Sequence, residues 1–147
     1  MKRNRNIQKL SRIVCIVLIA AMALCITGCG EAAPQEQPST DLWKDCTELG
    51  EGTTTFRFLV EDLEGKQTPF LIHTDKTLVG EALQEVGLIE GEEGPYGLYV
   101  KTVNGTTLDY DTDGAYWAFY VNGEYGLTGV DQTQIDPEST YSFKAEK

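Results

Sequence analysis

The sequence predicts an α+β domain, with one helix packed on a mixed or antiparallel sheet of about five strands. Three patterns within the 147 residues carry this expectation. Apolar residues alternate at period two from Phe56 to Val60. They recur at convincing helical spacing over residues 78–86. The run Tyr116–Val121 is dense in aromatic and β-branched residues and is followed by Asn122-Gly123.

Each element follows in chain order. Phe56, Phe58 and Val60 would share one face of a strand, with Arg57, Leu59 and Glu61 on the other. Glu64-Gly65-Lys66 supplies a turn, and Phe70-Leu71-Ile72 reads as the returning strand. Thr77 or Asp75 can cap the helix, whose apolar face is Leu78, Ala82, Leu83 and Val86. Gly87 stands where a left-handed residue closes a helix, so that Leu88 folds back onto Leu83. Gly97 to Val103 is extended, and Asn104-Gly105 predicts a tight primed hairpin turn. In Tyr116–Val121, Trp117, Phe119 and Val121 face one way and Tyr116, Ala118 and Tyr120 the other. Asp136-Pro137-Glu138-Ser139 turns the chain into a last strand, Tyr141 to Ala145. A hairpin, a helix and then several strands are accommodated most economically by one helix crossing one twisted sheet, a β-grasp-like packing.

The N-terminus predicts a different fate for residues 1–28. Lys2, Arg3, Arg5, Lys9 and Arg12 form a basic head without an acid, and residues 13–27 carry no charge. That apolar run is shorter than the roughly 20 residues a spanning helix needs, and a basic head with a short apolar stretch reads as a secretory signal. Ile26-Thr27-Gly28-Cys29 resembles the bacterial lipobox, in which small residues precede a cysteine that is acylated and becomes the new N-terminus. Cys29 is therefore the expected lipidation site, and two or three acyl chains on it would be needed for stable anchoring. Residues 29–53, polar and containing Pro34 and Pro38, are expected to be a flexible tether; Trp43 either docks back on the domain or marks an earlier start. Thirteen of the fourteen aromatic residues follow residue 53, which places the folded domain at 54–147. The expected location is a bacterial membrane, with the domain outside the cytoplasm and the membrane as partner through the lipid.

Charge narrows the remaining partners. From Cys29 onward the chain has seven basic and 23 acidic residues, a formal charge of −16. Nucleic acid is excluded, because its binding relies on Lys and Arg neutralising phosphates. Of four cysteines, Cys15 and Cys25 leave with the signal and Cys29 carries lipid, so Cys46 is alone and the domain must rest on its core. Asp109, Asp111 and Asp113 with Gly114 match the opening of a calcium loop, but the twelfth position is Tyr120 instead of a bidentate Glu, and an acidic hairpin loop is the better reading. Glu90-Gly91-Glu92-Glu93-Gly94 reads as a solvated loop. His73 is the sole histidine and cannot build a familiar transition-metal site by itself. No nucleophile stands near a base and no glycine-rich phosphate loop is present, so the chain is expected not to be an enzyme and to need no cofactor.

The ordered set Thr77-Leu78-Val79-Gly80-Glu81-Ala82-Leu83, Gly87-Leu88-Ile89, Gly97-Leu98-Tyr99-Val100, Val103-Asn104-Gly105, Tyr116–Gly123, Gly129-Val130 and Tyr141-Ser142-Phe143 resembles the transcobalamin-like C-terminal domain. The resemblance covers residues 54–147. It implies a β-grasp-like fold related to the small domain of vitamin B12 carriers, and a module for a small ligand, either a corrinoid or another small molecule. Tyr116, Trp117, Tyr120 and Tyr125 could supply aromatic faces for such a disc. This chain has no counterpart of the carriers' helical barrel, so it offers at most half of that site. A surface protein-interaction or adhesion module is the alternative reading. One face of the Trp117 strand must be core; whether the tyrosine face is covered or exposed stays open at this level.

Overall fold

A computed structural model of the chain describes residues 40–147. The expected leader, Cys29 and the first part of the expected tether lie outside the described residues. Among the described residues nine strands form: β1 (Thr47–Gly50), β2 (Thr54–Glu61), β3 (Gln67–Thr74), β4 (Ile89–Gly94), β5 (Gly97–Val103), β6 (Thr106–Thr107), β7 (Tyr116–Val121), β8 (Glu124–Tyr125) and β9 (Thr140–Glu146). Helix α1 (Val79–Glu85) lies between β3 and β4, and single helical turns occur at Thr40–Trp43 and Tyr110–Asp113. No helix among the described residues is long and apolar enough to cross a membrane.

The α+β expectation holds at the level of class, but the strands divide into two sheets where one of about five was expected. A mixed six-stranded sheet runs in the order β1-β3-β2-β9-β7-β8, and β4-β5-β6 form a separate three-stranded sheet. In the large sheet β1 is parallel to β3 and β2 is parallel to β9, while the remaining pairs are antiparallel. The expected hairpin is β2–β3, with Phe56 opposite Ile72 and Phe58 opposite Phe70. The acidic stretch expected to be a solvated loop is strand β4. It pairs through its backbone with β5, across a register shift at Glu90/Gly91, while Glu90, Glu92 and Glu93 stay in solvent. Acidic side chains hid a strand whose backbone is nevertheless paired.

The domain also begins earlier than residue 54. Thr47–Gly50, expected within a flexible tether, pairs with Phe70–His73 of β3. Leu49 packs against the core, and the Arg57 guanidinium lies 5.8 Å from the Trp43 ring centroid. Trp43 therefore docks on the sheet, and the start of the domain includes it. A four-residue edge strand with one inward residue leaves no periodic pattern to detect.

One face of the large sheet and α1 enclose the core. Phe56, Phe58 and Val60 of β2, Phe70 and Ile72 of β3, Trp117 and Phe119 of β7, and Tyr141 and Phe143 of β9 are buried with Val79, Ala82 and Leu83 of α1. Ile89, Val100 and Val103 join the same cluster from the small sheet. Leu59, expected on the polar face with Arg57 and Glu61, is buried as well, since β2 is interior and flanked by β3 and β9.

The helix ends as expected and begins differently. Gly87 has φ +70°, its N–H donates to Gln84 O at 3.0 Å, and Leu88 N–H donates to Leu83 O at 2.9 Å. These are the two bonds of a Schellman closure. At the N-terminus neither Thr77 nor Asp75 caps. Leu78 is the N-cap without a side-chain bond, and Val79 and Gly80 N–H donate to the carbonyls of Thr133 and Val130 at 2.9 Å each. Asp75 instead accepts from the Thr53 N–H and hydroxyl, at 2.9 Å each, and these bonds hold its carboxyl below the usual range.

Gly80 owes its identity to this docking. A Cβ there would lie 2.9 Å from Asp131 Cα and N and 3.0 Å from Val130 C, all backbone atoms. Alanine improves helix propensity by about 1 kcal/mol, but the clash is with backbone that cannot swing away, and overpacking of this kind costs about 1–3 kcal/mol. Gly80→Ala is therefore expected to lower the melting temperature. A variant that melts at or above the parent temperature would contradict this account of the loop.

Candidate ligand-binding surface

Strand alternation decides the fate of the aromatic run. Trp117 and Phe119 point into the core, and the Trp117 Nε1–H donates to Thr106 O at 3.1 Å. Tyr116, Ala118 and Tyr120 occupy the opposite face, away from α1. Of the four residues expected to bind ligand, the structure brings Tyr116, Tyr120 and Tyr125 together and excludes Trp117, because side chains at odd spacing along a strand project to opposite faces.

Register builds the rest of the surface. Glu146 of β9 stands opposite Tyr116, and Tyr125 of β8 stands opposite Tyr120. The Tyr116 hydroxyl donates to Glu146 Oε2 at 3.0 Å, and the Tyr120 hydroxyl donates to Glu146 Oε1. The two side chains thus converge from either side of Ala118, which is only 1% exposed although it lies on the open face. The Tyr120 and Tyr125 rings meet edge to face at 5.5 Å, and Tyr110 meets Tyr116 in the same manner at 6.2 Å. Tyr110 and Tyr125 are each 60% exposed. Lys144 completes the surface: its Nζ lies 5.0 Å from the Tyr120 ring centroid and 3.9 Å from a Glu61 oxygen.

The carboxylate sets the electrostatics. The hydrogen bond to Glu146, aided by burial, pushes the Tyr120 phenol up to about 12, and the same carboxylate raises Tyr116. The neutral phenols are the donors, so their ionisation breaks these bonds and sets negative charge against Glu146. A raised folded-state value means that the stabilisation is complete below about pH 10, the ordinary tyrosine value. It is lost as pH rises from there through about 12. Phenolate absorbance should therefore show at least one late-titrating tyrosine, and Glu146→Gln should bring that late component forward. A titration curve unchanged by the substitution would show that the carboxylate does not govern these phenols.

The other sequence-predicted candidates have structural partners. Asp109 caps the turn Tyr110–Asp113 by accepting the Asp111 N–H at 3.0 Å, and its own N–H donates to Asp113 Oδ2 at 2.9 Å. Lys101 Nζ lies 3.4 Å from Asp109 and 3.2 Å from Glu92. Burial pushes the Asp109 carboxyl up, but the Asp111 N–H and the Lys101 ammonium outweigh it and hold the group low. Glu92 and then Asp109 raise Lys101 in turn. Asp109, Asp111 and Asp113 thus cap a turn. Among the described residues no group of three or more His, Cys, Asp or Glu is arranged to hold a metal ion. His73 bonds Thr55 Oγ1 through Nδ1 and Glu48 through Nε2, both at 3.0 Å. Cys46 is free and half-buried.

Sequence reasoning missed three features. Glu146 and Tyr110 enter the surface only through pairing and turn geometry. Asp131, in the loop seated on α1, has a buried Oδ1 with no hydrogen-bond partner. Tyr96 and Leu127 are large apolar side chains left almost wholly in solvent.

A domain of unknown function, DUF4430, matches residues 75–147. No curated protein matches the chain. The crystal structure of a candidate metal-binding protein from Ruminococcus gnavus ATCC 29149 is similar with TM-score 0.61 and 27% identity, covering 65% of this chain and 98% of that one. Haptocorrin in complex with Cbi gives TM-score 0.48 and 17% identity, over 64% of this chain and 25% of haptocorrin.

Proposed function

We propose that the chain is an extracytoplasmic lipoprotein, acylated at Cys29 and held at a bacterial membrane, whose β-grasp-like domain binds a small organic ligand. The site is the tyrosine-bearing face of the large sheet. The observation that carries this reading is the gathering of Tyr110, Tyr116, Tyr120 and Tyr125 about Glu146 on the face opposite α1. Exposed aromatic surface with a fixed polar group is the composition of a binding site, and a soluble domain rarely leaves such a patch uncovered without use. The anchoring half of the proposal rests on the basic, acid-free head, the uncharged stretch and the Gly28-Cys29 junction. The protein is a binder without a catalytic site.

The resemblance of residues 54–147 to the transcobalamin-like domain makes a corrinoid one ligand to titrate. Its amide fringe can donate to Glu146 while the rings pack on its apolar areas. The Ruminococcus gnavus relative's description raises a metal ion; the rings gathered about one carboxylate on the tyrosine face favour an organic ligand. The test is a titration of the full chain in a maltoside detergent with cobinamide, read by the corrinoid visible spectrum. A saturable shift weakened in Tyr125→Leu is expected; a flat spectrum through the high-micromolar range would remove corrinoids from the reading. Trp117 emission is a poor reporter, because that ring faces the core.

A second reading, a protein-interaction module, is favoured by one observation: Tyr96 and Leu127 are large side chains almost wholly in solvent. Crosslinking through position 127 to one surface protein on intact cells, with no heat of binding for any small ligand, would place this reading first.

A further inference from the structure

We infer that the ligand of the tyrosine face is a small soluble organic ammonium ion carrying methyl groups. This rests on the reading of that face as the ligand site and names the chemistry that the site prefers.

The rings come first. Tyr120 with Tyr125 (74° between planes) and Tyr110 with Tyr116 (72°) form two near-right-angled corners. Each corner offers a ring face beside a second ring's edge, and the outer ring of each is largely in solvent. An aromatic face is the negative side of the ring quadrupole and attracts a cation set over it. Hydrogen-bond donation from a phenol to a carboxylate draws its O–H electrons back toward oxygen and ring, which strengthens that face. Tyr116 and Tyr120 both donate to Glu146.

The charge at the centre is the second observation. Ion pairs among the described residues engage Glu48, Glu61, Glu85, Glu92 and Asp109. Among the described residues, Glu146 is bonded by two phenols and makes no ion pair. Its full negative charge is thus held between two aromatic corners, in a chain of formal charge −16 from Cys29 onward. An anionic ligand would meet repulsion from both sources, and a cation would meet neither.

The third observation is an internal precedent. Lys144 already places its ammonium over the Tyr120 ring at 5.0 Å, so this face holds a cation in the folded chain. The class of cation follows from hydration. A bare metal ion needs several oxygen ligands to replace its water shell, and the surface offers one carboxylate. A methylated ammonium sheds water easily and presents apolar methyls to ring faces, which is the known use of aromatic cages.

The test is calorimetry on the full chain in a maltoside detergent, titrated with choline, with tetramethylammonium and with 3,3-dimethylbutan-1-ol, the uncharged carbon analogue of choline. Saturable binding of both cations and none of the neutral alcohol is expected. Tyr125→Leu should weaken choline by about threefold, the typical worth of one exposed cation–π contact, and Glu146→Gln should weaken it further. Tyr125 lies on a two-residue edge strand and is mostly in solvent, so its variant keeps the fold. Phosphocholine should bind more weakly than choline; the reverse order would assign the surface to a headgroup and overturn the free-ion assignment. Equal binding of the neutral alcohol would overturn it as well. If cobinamide binds and the ammonium ions do not, this inference falls while the ligand-site reading stands; if neither binds, both fall.

Discussion

A fragment of residues 75–147, the stretch that matches DUF4430, should fail to fold, whereas residues 40–147 should fold and melt cooperatively. The reason is topological. β2 lies between β3 and β9, so removing residues 40–74 deletes β1, β2 and β3 from one side of the six-stranded sheet. Phe56, Phe58, Val60, Phe70 and Ile72 leave the core together, and β9 loses its parallel neighbour along Thr140–Lys144. Five buried apolar side chains at about 1.5–3 kcal/mol each amount to roughly 10 kcal/mol. That is comparable to the whole stability of a typical domain, about 5–15 kcal/mol. Amide NMR dispersion is the direct measurement. A dispersed spectrum and a cooperative melt from 75–147 alone would show that β4–β9 with α1 form a self-sufficient unit, against this account. Residues 54–147, which lack only β1 and the Trp43 turn, should fold with lower stability, because β3 then becomes a bare edge.

What could be read from the sequence was whatever depends on local rules. The alternation from Phe56 to Val60 gave β2, and the Gly87-Leu88 pair gave the closure of α1. Asn104 and Asn122 have φ of 49° and 53°, and Gly105 and Gly123 follow at 76° and 82°, as primed turns require. Features set by pairing between distant segments were hidden. Thr47–Gly50 is a strand only because the edge of β3 accepts it, and Ile89–Gly94 is a strand despite its acids because β5 satisfies its backbone. The alternation of Tyr116–Val121 separates the two faces, yet nothing local says which face α1 covers, so the strand pattern alone does not part Trp117 in the core from the tyrosines on the open face. Glu146 became visible only when the β7–β9 register set it opposite Tyr116, thirty residues away. Site chemistry in this chain is thus a property of register, and a one-residue slip of β9 would dissolve it.

The two faces of the sheet can be told apart by a pair of substitutions. Phe58→Ala should be the most damaging single change in the large sheet. Phe58 is 0% exposed, and its ring lies 6.3 Å from Phe70 and 6.2 Å from Phe143. It stands opposite Phe70 on one side and Tyr141 on the other, so the cavity is walled by two strands that their own hydrogen bonds hold apart. Such a site cannot collapse, and truncation of a buried phenylalanine costs about 3–5 kcal/mol. For a domain of this size each kcal/mol shifts the melting temperature by about 4–8 °C, so a fall of roughly 15 °C or more is expected, or outright unfolding. Tyr125→Leu, on the open face, should move it by no more than the ~0.5 kcal/mol typical of surface positions. A Phe58→Ala variant that melts within a few degrees of the parent would mean that the sheet is not built around this ring. An equal loss from Tyr125→Leu would mean that the tyrosine face holds the fold together, and the surplus aromatic area on which ligand binding is argued would no longer exist.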